Sequence, residues 1–93
     1  MFVGIYQLEL FIPESNSLKS KRFILKSLKT RIRNKFNVSV AEVDENDKWQ
    51  KTVLGVATVS NEKKMIDGIF NQIKNLITSD VRVELIDQFR DIY

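Results

Sequence analysis

The chain opens on a strict alternation. Phe2, Gly4, Tyr6, Leu8, Leu10 and Ile12 fall on one face of an extended segment, and Val3, Ile5, Gln7, Glu9 and Phe11 on the other. Pro13 closes this strand, because it has no N–H to offer a ladder. Ser15-Asn16-Ser17 supplies a turn and an N-cap, and from Leu18 the apolar period lengthens. Leu25, Leu28, Ile32 and Phe36 then recur at the spacing of one helical face. Asn37 to Val43 reads as a second strand and Trp49 to Ser60 as a third, joined as a hairpin by the polar loop Asp44–Lys48. Asn61 is positioned to cap a second helix, in which Met65, Ile66, Ile69, Ile73, Leu76 and Ile77 share a face. Val81 to about Phe89 forms the last strand; Ile86 breaks its alternation, which predicts a bulge or an early end.

The order βαββαβ predicts an α+β fold, the ferredoxin-like sandwich: a four-stranded antiparallel sheet with two helices on one face. Ninety-three residues are enough for one domain, residues 1–93, and 43% apolar residues with six Phe, two Tyr and one Trp are enough for its core. Gly4 and Gly55 lie within strands and read as sites of close packing. Gly68 stands mid-helix opposite the apolar face, where glycine costs about 1 kcal/mol against alanine.

Composition then removes whole classes of chemistry. There is no cysteine and no histidine, so the usual thiol nucleophile, disulfide, imidazole base and metal ligands are all missing. No serine has a histidine partner, and the three glycines are isolated rather than clustered before a helix. Asp44, Asn46 and Asp47 suggest a calcium loop, but Lys48 and Trp49 occupy the positions where it needs an oxygen ligand and glycine. The expectation is a non-catalytic protein without cofactor or metal. No apolar run is long enough for a membrane span and no signal-peptide pattern opens the chain, so a cytoplasmic protein with no membrane partner is expected.

Charge is the informative feature. Residues 17–36, SLKSKRFILKSLKTRIRNKF, hold eight Lys or Arg and no Asp or Glu, against a net charge of only +3 for the whole chain. With Leu25 at zero and roughly 100° per residue, Arg22, Lys26, Lys29 and Arg33 fall at roughly 60°, 100°, 40° and 80°, with Lys19 near 120°. They form one stripe along a flank of the buried face. Phe23 lies towards the outer side. Lys19, Lys21 and Arg22 also crowd the first turn, where the helix dipole disfavours cations by about 0.3–1 kcal/mol each. An anion held there by Lys19 and Lys21 would relieve that cost. Lys19, Lys21, Arg22, Lys26, Lys29 and Arg33 are therefore the candidate phosphate-binding residues, and structured RNA the candidate partner.

Trp49, with Gln50 and Lys51, is a possible partner contact; the ordinary reading of such a tryptophan is a cover over the end of a small core. Stacking of bases on aromatics of the open sheet face is not expected, because the first strand offers none there before Phe11 and the third none after Trp49. That face instead combines Val3 and Ile5 with one set of third-strand residues, either Val53, Gly55, Ala57 and Val59 or Leu54 and Val56. A partly apolar open face suits a homodimer or another protein partner, and this is the competing reading of function.

Ser17-Leu18-Lys19-Ser20-Lys21-Arg22, Leu25-Lys26-Ser27-Leu28-Lys29, the block FNVSVAEVDENDKWQ from Phe36 to Gln50, and Leu54-Gly55-Val56-Ala57 together resemble the YlxP-like family of small bacterial proteins, a family of unknown function. The resemblance covers nearly the whole chain. It implies a ferredoxin-like fold, and an association with ribosomes or RNA, since such proteins are often encoded beside translation factors and labelled ribosome-binding-factor-like. It brings no catalytic residues. Ser20 stands where the family often has Glu, and the loop near Glu45 and Asn46 lacks the histidine that members often carry.

Overall fold

The computed structural model describes residues Met1–Tyr93. Its elements run β1 (Phe2–Phe11), α1 (Leu18–Lys35), β2 (Ser39–Asp44), β3 (Lys51–Ser60), α2 (Lys63–Thr78) and β4 (Glu84–Ile92). The strands form one antiparallel sheet in the order β2-β3-β1-β4. This is the ferredoxin-like arrangement that the alternation and helical periods predict.

Period two decides the layers. Tyr6, Leu8, Leu10 and Ile12 are fully buried beneath the helices, and Leu54 and Val56 join them from β3. The parity left open by the sequence is thereby settled: Val53, Gly55, Ala57 and Val59 line the open face. From the helices, Ile24, Leu25, Leu28 and Ile32 of α1 and Ile66, Phe70, Ile73 and Ile77 of α2 complete the core. Tyr6 and Phe70 meet ring to ring at 5.1 Å, and the Arg90 guanidinium lies 4.4 Å above the Tyr6 ring. Gly4 sits where a Cβ would strike Ile66 and come within 2.9 Å of Phe70. The first strand can therefore approach α2 only with glycine there.

Several expectations need correction. β2 begins at Ser39 rather than Asn37, and β3 at Lys51 rather than Trp49. Asn61 is not the cap of α2; Glu62 holds that position without a side-chain hydrogen bond, and its N–H donates to Ser60 Oγ at 3.1 Å. Met65 is exposed rather than part of the buried face, while Phe70 fills the core. The last strand begins at Glu84, not Val81, and runs on to Ile92. The cause is a turn built on Asp80, whose Oδ1 accepts the Arg82 N–H at 2.9 Å and whose carbonyl accepts the Val83 N–H at 3.3 Å. Val81 is turned out to solvent, 96% exposed. The phase break at Ile86 is a bulge: Glu9 pairs with Asp87 and Leu10 with Leu85, leaving Ile86 unpaired between them.

Candidate nucleic-acid interface

Helix α1 is started by Ser17, whose Oγ accepts the Ser20 N–H at 3.0 Å, and no acidic residue follows in its first turn. Its apolar face packs down on the sheet, which leaves its cations to find partners on the flanks. They divide into two groups.

The first group is absorbed by the fold. Lys21 is completely buried. Its Nζ donates to the carbonyls of Glu45 (2.8 Å), Asn46 (3.3 Å) and Lys51 (3.1 Å), and pairs with Glu42 at 2.9 Å. Glu42 is held in turn by the Thr52 hydroxyl at 2.6 Å. Lys21 is therefore not available to an anion in solvent, contrary to the expectation from the first turn; it ties the start of α1 to the β2–β3 hairpin. Helical geometry carried the signal, since Lys21 falls roughly 40° from Leu25, inside the buried arc. On the opposite flank Arg31 reaches Asp80 at 3.3 Å. Asp80 also takes Arg82 Nε at 3.0 Å and Nη2 at 2.7 Å, and Arg82 Nη2 donates to Ser27 Oγ at 3.2 Å. The Arg82 hydrogen bond holds the Asp80 carboxyl below its ordinary value of 3.8, against the opposing effect of burial. Sequence reading missed this cluster, because its members lie 49 and 55 residues apart along the chain.

The second group has no carboxylate partner. Lys19, Arg22 and Lys26 are exposed and Lys29 is half-buried, and none of the four makes an ion pair. Arg33 continues their row and also donates to the Val40 carbonyl of β2 at 2.8 Å. From Arg22 to Arg33 the row spans about 16 Å at the helical rise of ~1.5 Å per residue. Every cation in it lies on one flank; the eighth cation of α1, Lys35, lies on the other flank, exposed and 5.6 Å from the Phe36 ring centroid.

Trp49 is not a cover over the core. It is 56% exposed, and stands with Gln50, Lys51, Phe11 and Pro13 around an open cleft of about 780 Å³. Gln50 fixes that cleft: its Nε2 donates to the Pro13 carbonyl at 3.0 Å, and its own carbonyl accepts the Ile12 N–H at 2.8 Å. Lys51 is exposed at the side chain but gives its carbonyl to Lys21. The hairpin loop carries one left-handed residue, Glu45 (φ 60°), with Asp44 Oδ1 accepting its N–H at 2.8 Å. The cation row and the Trp49 cleft are thus two separate surfaces, and Lys21 is the joint that fixes one relative to the other.

One further exposed aromatic belongs here. Phe23 projects from the outer side of α1, 73% exposed. Its helical phase placed it there, but nothing in the sequence marked it as a contact.

No helix is long and apolar enough to cross a membrane. Residues 3–90 match the family described as "Protein of unknown function (DUF503)". The chain is also similar to the uncharacterized protein YlxP of Bacillus subtilis (strain 168), with 37% identity over 82 residues, 88% of this chain and 89% of that protein. With the match running through all six elements, the chain belongs to this family of unknown function, the YlxP-like proteins.

Proposed function

We propose that the protein is a non-catalytic module that binds structured RNA in a ribosomal or translational setting, with α1 laid against phosphates. One observation carries this reading: Lys19, Arg22, Lys26 and Lys29 lie on one helix flank with no carboxylate partner, while other cations of the same helix, Lys21 and Arg31, are paired internally. A flank that binds nothing gains no stability from four neighbouring like charges. A polyanion neutralises them together. The role assigned to Lys21 at the helix start passes to Lys19 and Arg22, because Lys21 serves the hairpin. Phosphate contact of this kind supplies affinity and orientation rather than sequence preference.

The test is cosedimentation with separated small and large ribosomal subunits at low and moderate salt. Arg22→Glu/Lys26→Glu is the first variant, because neither residue holds another part of the fold. Lys26→Glu/Arg33→Glu also removes the hydrogen bond to Val40. Saturable binding to one subunit is expected, lost in the first variant, with log affinity falling against log salt at a slope of about −3 to −4 for four contacts. A slope near zero, or full binding by Arg22→Glu/Lys26→Glu, removes the reading.

A second reading has its own observation. Val43, Val59 and Phe89 are each more than half exposed, and Val43 and Val59 share the open sheet face with Val3, Ile5 and Val53. Face-to-face packing of two copies would bury them. Light scattering that shows a monomer at high protein concentration removes this alternative.

A further inference from the structure

Phe23 is placed differently from the other exposed apolar side chains. Lys19 and Lys26 stand four residues before it and three after, within one turn, and Arg22 is adjacent in the chain. All three lack an ion-pair partner. On its other side the ring borders an open cleft of about 400 Å³, with Ile24 and Val81 as apolar walls and Glu14, Ser20 and Arg82 as polar ones. Arg82 is held in place by Asp80 and Ser27. The ring is therefore rimmed by free cations on one side and faces a small, partly apolar recess on the other.

A duplex presents phosphates but keeps its base faces stacked and out of reach. An apolar protein segment would fill the recess but leave three cations unanswered. A ligand that satisfies both halves of the site, within the RNA-binding reading, is an aromatic ring joined to phosphates. We propose that the Phe23 cleft takes one unpaired nucleobase of the bound RNA, stacked on the Phe23 ring, while Lys19, Arg22 and Lys26 hold the flanking phosphates. This rests on the RNA-binding reading and narrows its ligand class from structured RNA in general to RNA with a looped or single-stranded position. Glu14 is the one acidic residue on the cleft wall. A carboxylate on that wall disfavours a phosphate inside the cleft and can accept from a base amino group, so the phosphates are assigned to the cation side.

The experiment compares two labelled RNAs with equal numbers of phosphates, a hairpin with an unpaired loop and a fully paired duplex, by fluorescence anisotropy. The proteins are wild type, Phe23→Ala, Phe23→Trp and Arg22→Glu/Lys26→Glu. Phe23 is mostly solvated, so its substitution leaves the fold intact, which thermal unfolding of each variant checks. Wild type is expected to prefer the hairpin. Phe23→Ala should lose about 5- to 150-fold on the hairpin and nothing on the duplex. Phe23→Trp should restore binding, and the salt slope should be the same in all three, since no charge changes. Hairpin binding by Phe23→Ala at wild-type strength, with binding lost in Arg22→Glu/Lys26→Glu, overturns the cleft assignment and leaves the RNA reading standing. Absence of wild-type binding to either RNA overturns both. Phe23-dependent retention on anionic vesicles without RNA binding assigns the ring to a lipid surface instead and also overturns the proposal.

Discussion

Two helices of nearly equal length lie side by side on one sheet, and they handle charge in opposite ways. Helix α2 carries Lys63, Lys64, Asp67 and Lys74 among neutral polar residues, and the residues it buries, Ile66, Phe70, Ile73 and Ile77, are all apolar. Lys63, Lys64 and Lys74 also lack a carboxylate partner, but they share the helix with Asp67 and neutral polar residues rather than forming a run of one sign. Helix α1 carries eight cations and no acid, and buries one of those cations outright. The fold supplies anions for two of them, Glu42 for Lys21 and Asp80 for Arg31, and supplies none for the other six, of which Lys19, Arg22, Lys26 and Lys29 share one flank with Arg33. A run of like charge is therefore not one feature. Part of it is internal structure, and only the remainder is available to a ligand.

The comparison is most directly broken at Lys21. Replacing it by Ala leaves a carboxylate and three carbonyls without their cation. The expected loss is about 3 kcal/mol in urea unfolding, the usual scale for breaking a buried pair. Lys19→Ala, two residues earlier, should stay within about 0.5 kcal/mol. Equal effects at the two positions would mean that the hairpin tie contributes little and that α1 is charged surface throughout.

A smaller effect is expected at Asp80, where α1 is tied to the turn after α2. Its folded value is lowered by the Arg82 hydrogen bond, so its contribution is complete above the ordinary value of 3.8 and is lost as pH falls through the lower folded value. Asp80→Asn should cost about 1–2 kcal/mol at neutral pH, reduced from the full charge-assisted range because Arg31 and Arg82 are partly solvated. It should also flatten the acid limb of the wild-type stability curve. Urea midpoints at neutral pH and near pH 3 check both statements, and an unchanged acid limb would show that other carboxylates set it.

The smallest change sharpens the contrast from the side of α2. Gly68 has open space where a Cβ would stand. Gly68→Ala should therefore stabilise by ~0.5–1 kcal/mol through helix propensity and a less flexible unfolded chain. A loss of stability instead would reveal a constraint on the outer face of α2 like those already found on α1.

How much of this was legible in the sequence follows from how far each interaction reaches. The strand faces of β1 and the apolar faces of both helices depend on residues two to four apart, and periodicity places them. The bulge at Ile86 is legible for the same reason. The start of β4 was not, because a side chain, Asp80, captures the backbone that alternation alone would extend. Lys21 is a mixed case. Its angle within the buried arc was computable, but the carbonyls that make burial tolerable come from residues 24 to 30 positions away. A lysine without visible partners reads as surface. The exposure of Trp49 was likewise hidden, since it depends on how the hairpin meets Pro13.

The sheet order has a kinetic consequence. Strand β1 is central: Phe2 lies opposite Ser60 on one side, and Gly4 lies opposite Ile92 on the other. Both ladders join segments far apart in sequence, so the entropy of closing long loops must be met before either gives anything back. The helices can flicker into place within about a microsecond, far sooner than such pairings form. The step expected to limit folding is thus the search of the first strand for its two distant neighbours, and not the formation of either helix.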